Sequence, residues 1–171
     1  MLYGLLEKAN KIKEFKTASA HCDVPCGVYD PVPMQIAAMT VARMTDTILE
    51  NDAHEEKDHG GKRGVAYQNT ITRMVNEKER SAEHVKHEVR IIWGDFYKAD
   101  QFKKFPQLHD LTHSIMMLAS ACKQNVDQDK TRELVAKCNE FAGIFWEIKG
   151  IKHKTTAYHC KPNLEMVYPE L

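Results

Sequence analysis

The sequence has no long apolar run. No uninterrupted stretch approaches the about 18 residues that a membrane-spanning helix requires, so no membrane association is expected. It also lacks an excess of either charge. Lys and Arg number 24 and so do Asp and Glu, a formal net charge of zero that removes the electrostatic case for nucleic acid. Glycine (8) and proline (6) are scarce among 171 residues, which disfavours a turn-rich β fold. The five cysteines (22, 26, 122, 138 and 160) are odd in number and scattered, so a disulfide framework is excluded and a reducing, cytoplasmic compartment is expected. What is present, 43% hydrophobic and 28% charged residues, suits one globular domain with a real core.

From Pro33 onward the apolar residues fall at helical spacing. Ala37, Val41, Met44 and Ile48 step by three and four, which places them on one face. A polar stretch, Asn51 to Gly64, reads as a loop centred on Gly60-Gly61. A second stripe runs through Ile71, Val75, Ala82, Val85, Val89, Ile92 and Phe96, with Lys78 as its one charged interruption. Pro106 suits a first helical position ahead of Leu108, Leu111, Ile115, Leu118 and Cys122. Asp127 to Asp129 offer an N-cap for a fourth helix faced by Leu134, Cys138, Phe141, Phe145 and Ile148. Four striped segments predict an all-α, antiparallel up-down four-helix bundle over 33–150, followed by an unassigned tail, 151–171.

The chemistry concentrates in His21-Cys22-Asp23-Val24-Pro25-Cys26-Gly27-Val28-Tyr29-Asp30. Two thiols and an imidazole in a segment that Pro and Gly keep from being helical form a soft donor set for a transition metal. A closed zinc site would want four side-chain donors, and the usual second pair is missing. Backbone nitrogen must therefore enter. If the chain were cut before His21, a free amine, the Cys22 amide and two thiolates could lie in one plane, which suits nickel(II), with the His21 ring capping it. The twenty residues upstream form an amphipathic, lysine-rich segment ending Ala18-Ser19-Ala20, read either as a leader or as an attached N-terminal helix. The plainer reading of the hook is an exposed turn with incidental cysteines, oxidised or not to a Cys22–Cys26 disulfide.

The run from His21 through Cys22, Asp23, Pro25, Cys26, Gly27, Val28, Tyr29, Asp30 and Pro31 resembles the nickel hook of nickel-dependent superoxide dismutases. The similarity continues through Lys86-His87, Ile92-Trp93-x-Asp95-Phe96-Tyr97-Lys98, Lys104-Phe105-Pro106-x-Leu108-His109 and Ile144-Phe145-Trp146-Glu147-x-Lys149, roughly residues 21–150. The resemblance implies one nickel ion per subunit, a homohexamer, and a precursor whose leader, 1–20, a maturation protease removes between Ala20 and His21. It implies a hook over 21–32 with His21, Cys22 and Cys26 as metal ligands, and Asp23 in the hydrogen-bond scaffold. Tyr29 would hold water and substrate above the metal, and Lys98 would draw in the superoxide anion. It also implies a helix-one glutamate and a helix-two arginine behind the histidine ring, where this chain has Ala37 and Ser81, and a second tyrosine where it has Phe96 followed by Tyr97.

Other clusters read more plainly. His109 and His113, like His84 and His87, suit helix surfaces or core before a metal site. No paired Glu-x-x-His motifs support a di-iron bundle. His54, Glu55, Glu56, Asp58 and His59 read as a solvated acidic loop, and Trp93 and Trp146 as core or subunit-interface residues. Two functions follow: superoxide disproportionation through a Ni(II)/Ni(III) cycle, or a nickel or copper carrier without turnover.

Overall fold

In the computed structural model, which describes residues 27–59 and 63–171, the chain is a helical bundle carrying a small β-hairpin. Its elements are α1 (Val32–His59), α2 (Val65–Ile91), a π-helical turn (Ile92–Phe96), α3 (Ala99–Lys104), α4 (Leu108–Gln124), α5 (Gln128–Lys149), β1 (His153–Ala157) and β2 (Glu165–Pro169). The long helices pack in a ring: α1 on α2, α2 on α4, α4 on α5 and α5 on α1.

Two of the long helices begin where a carboxylate accepts from one of their first amides. The Asp30 carboxylate accepts from the Val32 amide at 2.8 Å, and Pro33 brings no amide that would need one. Asp127 accepts from the Lys130 amide at 3.1 Å and opens α5, as the sequence suggests. Gly150 ends that helix in the left-handed region (φ 68°), with Ile151 N–H donating to the Trp146 carbonyl at 3.0 Å. α4 starts at Leu108, two residues beyond Pro106.

The core gathers Met34, Ala38, Val41 and Ala42 of α1, Val85 and Val89 of α2, Leu108 and Ile115 of α4, and Leu134, Phe141 and Phe145 of α5. Cys122 and Cys138 belong to it, and burial pushes both thiols up, Cys122 to about 11, so they stay protonated and inert. The charged interruption, Lys78, is also buried. Its ammonium donates to the carbonyls of Cys122, Lys123 (3.0 Å) and Asn125 (2.8 Å), where α4 runs out of amide donors. Loss of solvent pulls its pKa down. At the same level, Asp46 of α1 accepts from Gln128 (2.7 Å) and pairs with Arg132 (2.7 Å) at the start of α5.

One expectation is corrected, and the unassigned tail takes a form. The stretch from Asn51 is no loop: α1 continues to His59, and α2 starts at Val65. Glu, Lys, Ala and Asp without apolar spacing look like loop, yet most form helix readily when a partner helix lies alongside. The tail after Lys149 is an antiparallel hairpin, His153 opposite Pro169 and Ala157 opposite Glu165. Its buried Met166 and Val167 pack on α5. Gln35 donates to the Val167 carbonyl (3.2 Å) and to Asn139 Oδ1 (2.9 Å), and Asn139 in turn donates to the Glu165 carbonyl (2.7 Å). Gly143 lets the His153 ring close on α5, since a Cβ there would stand 3.2 Å from His153 Nε2.

Candidate metal centre

His21, Cys22, Asp23 and Cys26 lie outside the described residues, so the site is built from its surroundings. Chain geometry bounds the distance: Tyr29 is three residues from Cys26, so their Cα atoms are at most about 11 Å apart. Tyr29 and its neighbours are thus the described residues nearest in sequence to the donor set.

Tyr29 is half-buried, its ring centroid 5.6 Å from that of Phe96. Phe96 stands 4.7 Å from Phe145 of α5, and the Lys149 ammonium lies 5.1 Å from the Phe96 centroid, over its ring. The π-helical turn sets this arrangement. The Tyr97 amide donates to the Ile92 carbonyl (3.1 Å), one residue wider than an α-helical bond, so the extra residue rotates the chain. Tyr97 enters the core, 2% exposed, its hydroxyl 3.5 Å from the Phe141 carbonyl, and burial drives its pKa strongly upward. Phe96 is left at the edge beside Tyr29. The second aromatic at this end is thus Phe96, without a hydroxyl, and Tyr97 does not substitute for it.

Lys98 is exposed, and its ammonium donates to the Asp95 carbonyl at 2.7 Å. Gln101 accepts from the Lys98 amide at 2.9 Å, which fixes the lysine at the mouth of α3. Ala37 and Ser81 are both buried and line one recess of about 680 Å³ with Val32, Thr40, Glu77 and Arg80. A carboxylate and a guanidinium are present there after all, one turn along α2. Glu77 pairs with Arg80 at 2.9 Å and accepts from Ser81 Oγ at 3.1 Å, and the guanidinium holds the Glu77 carboxyl below its ordinary pKa.

The remaining histidines are used locally. His109 Nδ1 accepts from Trp93 Nε1 at 3.1 Å, and its ring stacks on Phe102 at 4.2 Å. His84 Nε2 lies 3.1 Å from Glu88, and His87 and His113 are exposed. Trp146 is core, whereas Trp93 is 37% exposed. Among the described residues no three of His, Cys, Asp and Glu converge as a metal site, and no helix is long and apolar enough to cross a membrane. Phe145 and Lys149 were present in the sequence only as parts of a helical stripe and a motif. Nothing local links them to Tyr29.

Comparison with known proteins agrees with this geometry. Residues 16–149 match the family described as nickel-containing superoxide dismutase. The chain is 34% identical over 133 residues to the superoxide dismutase [Ni] of Streptomyces coelicolor, covering 78% of this chain and 91% of that one. It is 32% identical over 131 residues to the Streptomyces seoulensis enzyme, covering 77% and 89%. The native nickel superoxide dismutase structure superposes with a TM-score of 0.62 at 32% identity, over 76% of this chain and 99% of that one. A form described as partially X-ray-reduced gives 0.64 at 31%. The chain belongs to the nickel-containing superoxide dismutase family.

Proposed function

We propose that the nickel of this superoxide dismutase is held by His21, through its amine and imidazole, by Cys22, through its thiolate and amide nitrogen, and by the Cys26 thiolate. The donor set fits the ion: anionic sulfur and nitrogen are strong-field donors that would suit a d8 centre. When bound, nickel supplies a one-electron couple for turning two superoxide anions and two protons into one O2 and one H2O2.

The protein's own residues do the rest. The Tyr29 phenol holds water and substrate over the hook and donates a proton at its Oη. The Phe96 and Phe145 rings behind it exclude solvent from that side. Lys98, with Lys149 beyond the Phe96 ring, makes this end of the bundle attractive to a small anion. Asp23 ties the hook together by hydrogen bonds, and Pro25 turns it. The Glu77–Arg80 pair, in the recess that also holds Ala37 and Ser81, takes the task of orienting the His21 ring.

Because the amine is a ligand only in a chain that starts at His21, residues 1–20 act as a leader removed by a protease between Ala20 and His21. The mature domain is a hook over 21–32 on a bundle over 33–150, working in the cytoplasm as a homohexamer. What carries the reading is the hook sequence, lying within the matched residues and joined by three residues to Tyr29.

The test is superoxide decay after pulse radiolysis, with nickel-loaded protein starting at His21 and the full-length chain compared side by side. Fast decay by the trimmed form alone is expected. Equal activity of both forms would remove the amine from the ligand set, and inactivity of both despite bound nickel would favour a carrier.

A further inference from the structure

The rings do not stop at the pair beside Tyr29. From Phe96 they continue to Tyr97 at 5.3 Å and from Tyr97 to Phe102 at 6.2 Å. Phe102 stacks on His109 at 4.2 Å, with the planes 10° apart. The His109 ring meets Trp93 edge-on at 5.8 Å and accepts its indole N–H at 3.1 Å. With Tyr29 5.6 Å from Phe96, the run has no gap wider than 6.2 Å, the spacing of direct ring contact. Core packing accounts for Tyr97, which is buried. It does not account for Trp93, which is 37% exposed and ends the run with its N–H on an imidazole.

Of the two tryptophans, Trp93 is the one equipped to give up an electron. An indole that loses an electron becomes a strong acid, and its oxidation is complete when the N–H proton leaves for a base. His109 Nδ1 is that base. Trp146 is also reached by rings, through Phe145 at 4.7 and 5.0 Å. Its indole N–H is buried without an acceptor among the described residues, so its proton has nowhere to go. The Tyr97 hydroxyl faces only the Phe141 carbonyl, at 3.5 Å, which is no base either. Electrons cross those rings and do not settle there.

We infer that the rings from Trp93 to Tyr29 are a protective relay, which brings electrons to the hook when an oxidant lingers there. The assignment rests on the reading of Tyr29 as the residue over the metal ligands. The oxidant is hydrogen peroxide, the product of the dismutase reaction. Reducing one H2O2 to two waters takes two electrons and two protons, and the Tyr29 phenol gives one of each at a time, becoming a phenoxyl radical. An electron then passes along the rings from Trp93, the indole proton moves to His109 Nδ1, and Tyr29 regains a proton from water. The Trp93 radical takes an electron from a soluble thiol and its own proton back from His109. The thiol releases its proton to water, and two such thiols end as one disulfide. Without the relay, peroxide drives the thiolates of Cys22 and Cys26 toward sulfinic and sulfonic acids that thiols do not reverse.

Two measurements test it. In the full-length chain, azide radicals made by pulse radiolysis oxidise the exposed Trp93, and the path is read in reverse. Indolyl absorption should decay into phenoxyl absorption in a first-order step independent of protein concentration. Tyr29→Phe should remove that step, Phe102→Leu should slow it about tenfold by breaking the ring contacts, and Trp146→Phe should leave it unchanged. A step that survives Tyr29→Phe, keeps its rate in Phe102→Leu, or slows in Trp146→Phe would overturn the route. The second measurement treats nickel-loaded protein starting at His21 with hydrogen peroxide and maps oxidation by peptide mass spectrometry. Trp93→Phe should carry about threefold more sulfinic and sulfonic acid at Cys22 and Cys26 than the wild type, with superoxide decay before treatment unchanged. Equal cysteine oxidation in both would overturn the protective role. The radiolysis step needs no nickel, so its failure leaves the ligand assignment standing, and a hook that binds no nickel leaves the route to be decided by radiolysis.

Discussion

The two ends of the four-helix body are built from different materials. At the end that carries Tyr29, rings do the work: Tyr29 on Phe96, Phe96 on Phe145, with Lys149 over the Phe96 face. At the opposite end charged side chains close the helix termini, Lys78 on the last carbonyls of α4 and Asp46 on the start of α5. Ring contacts tolerate a range of tilts and leave Tyr29 half-buried at this end. Cap contacts are directional, and losing one partner leaves buried acceptors without a donor. Under the proposed function the chemistry belongs to the forgiving end, and the structural lock is at the strict one.

Substitutions at each end sharpen that division. The largest effect belongs to the hook: His21→Ala should lower the superoxide decay rate at least a hundredfold while much of the nickel stays bound, read by pulse radiolysis and metal analysis. Next is Lys78→Met, expected to remove about 2–3 kcal/mol from urea unfolding, because three carbonyls lose their donor, with turnover per folded, loaded chain unchanged. A matching loss of turnover would mean that the two ends are coupled. Phe96→Leu, which keeps most of the apolar volume, should do the reverse, cutting turnover several-fold while destabilising by only about 1–1.5 kcal/mol, the order of a ring–ring contact. Gly143→Ala should remove about 1 kcal/mol and raise proteolysis of the hairpin, as His153 must yield. Smallest is Lys149→Met, a two- to threefold slower rate at low ionic strength that disappears at about 0.5 M salt; a difference that survived salt would argue against steering.

The four stripes made the body legible: Val41, Val89, Ile115 and Phe141 are buried where helical spacing puts them. Lys78 was legible as an interruption but not as a cap, because the carbonyls it serves belong to a helix more than forty residues away. The last turns of α1, from Asn51 to His59, were hidden by composition, since their charged residues satisfy a loop and an exposed helix equally. The π-helical turn has no periodic signature, so the exchange of roles between Phe96 and Tyr97 could not be read. The hairpin strand His153–Ala157 offers no apolar alternation, and its packing depends on Gly143 and Asn139 of α5. Tyr29 was legible for a local reason, its nearness to Cys26. Phe145 and Lys149 were not, for the opposite reason.

The interior of this body runs from Met34 to Val167, and the helices and hairpin pack it together. In small zinc domains folding and metal binding are one event, and a chelator unfolds the chain. With a core of that extent the two should be separable here: a freshly made chain should reach its packed form before any ion arrives and wait in that state. Losing the ion should leave the melting temperature almost where it was. Damage to the hook by its own peroxide product would then yield a silent, well-folded protein, invisible to quality control that recognises exposed core.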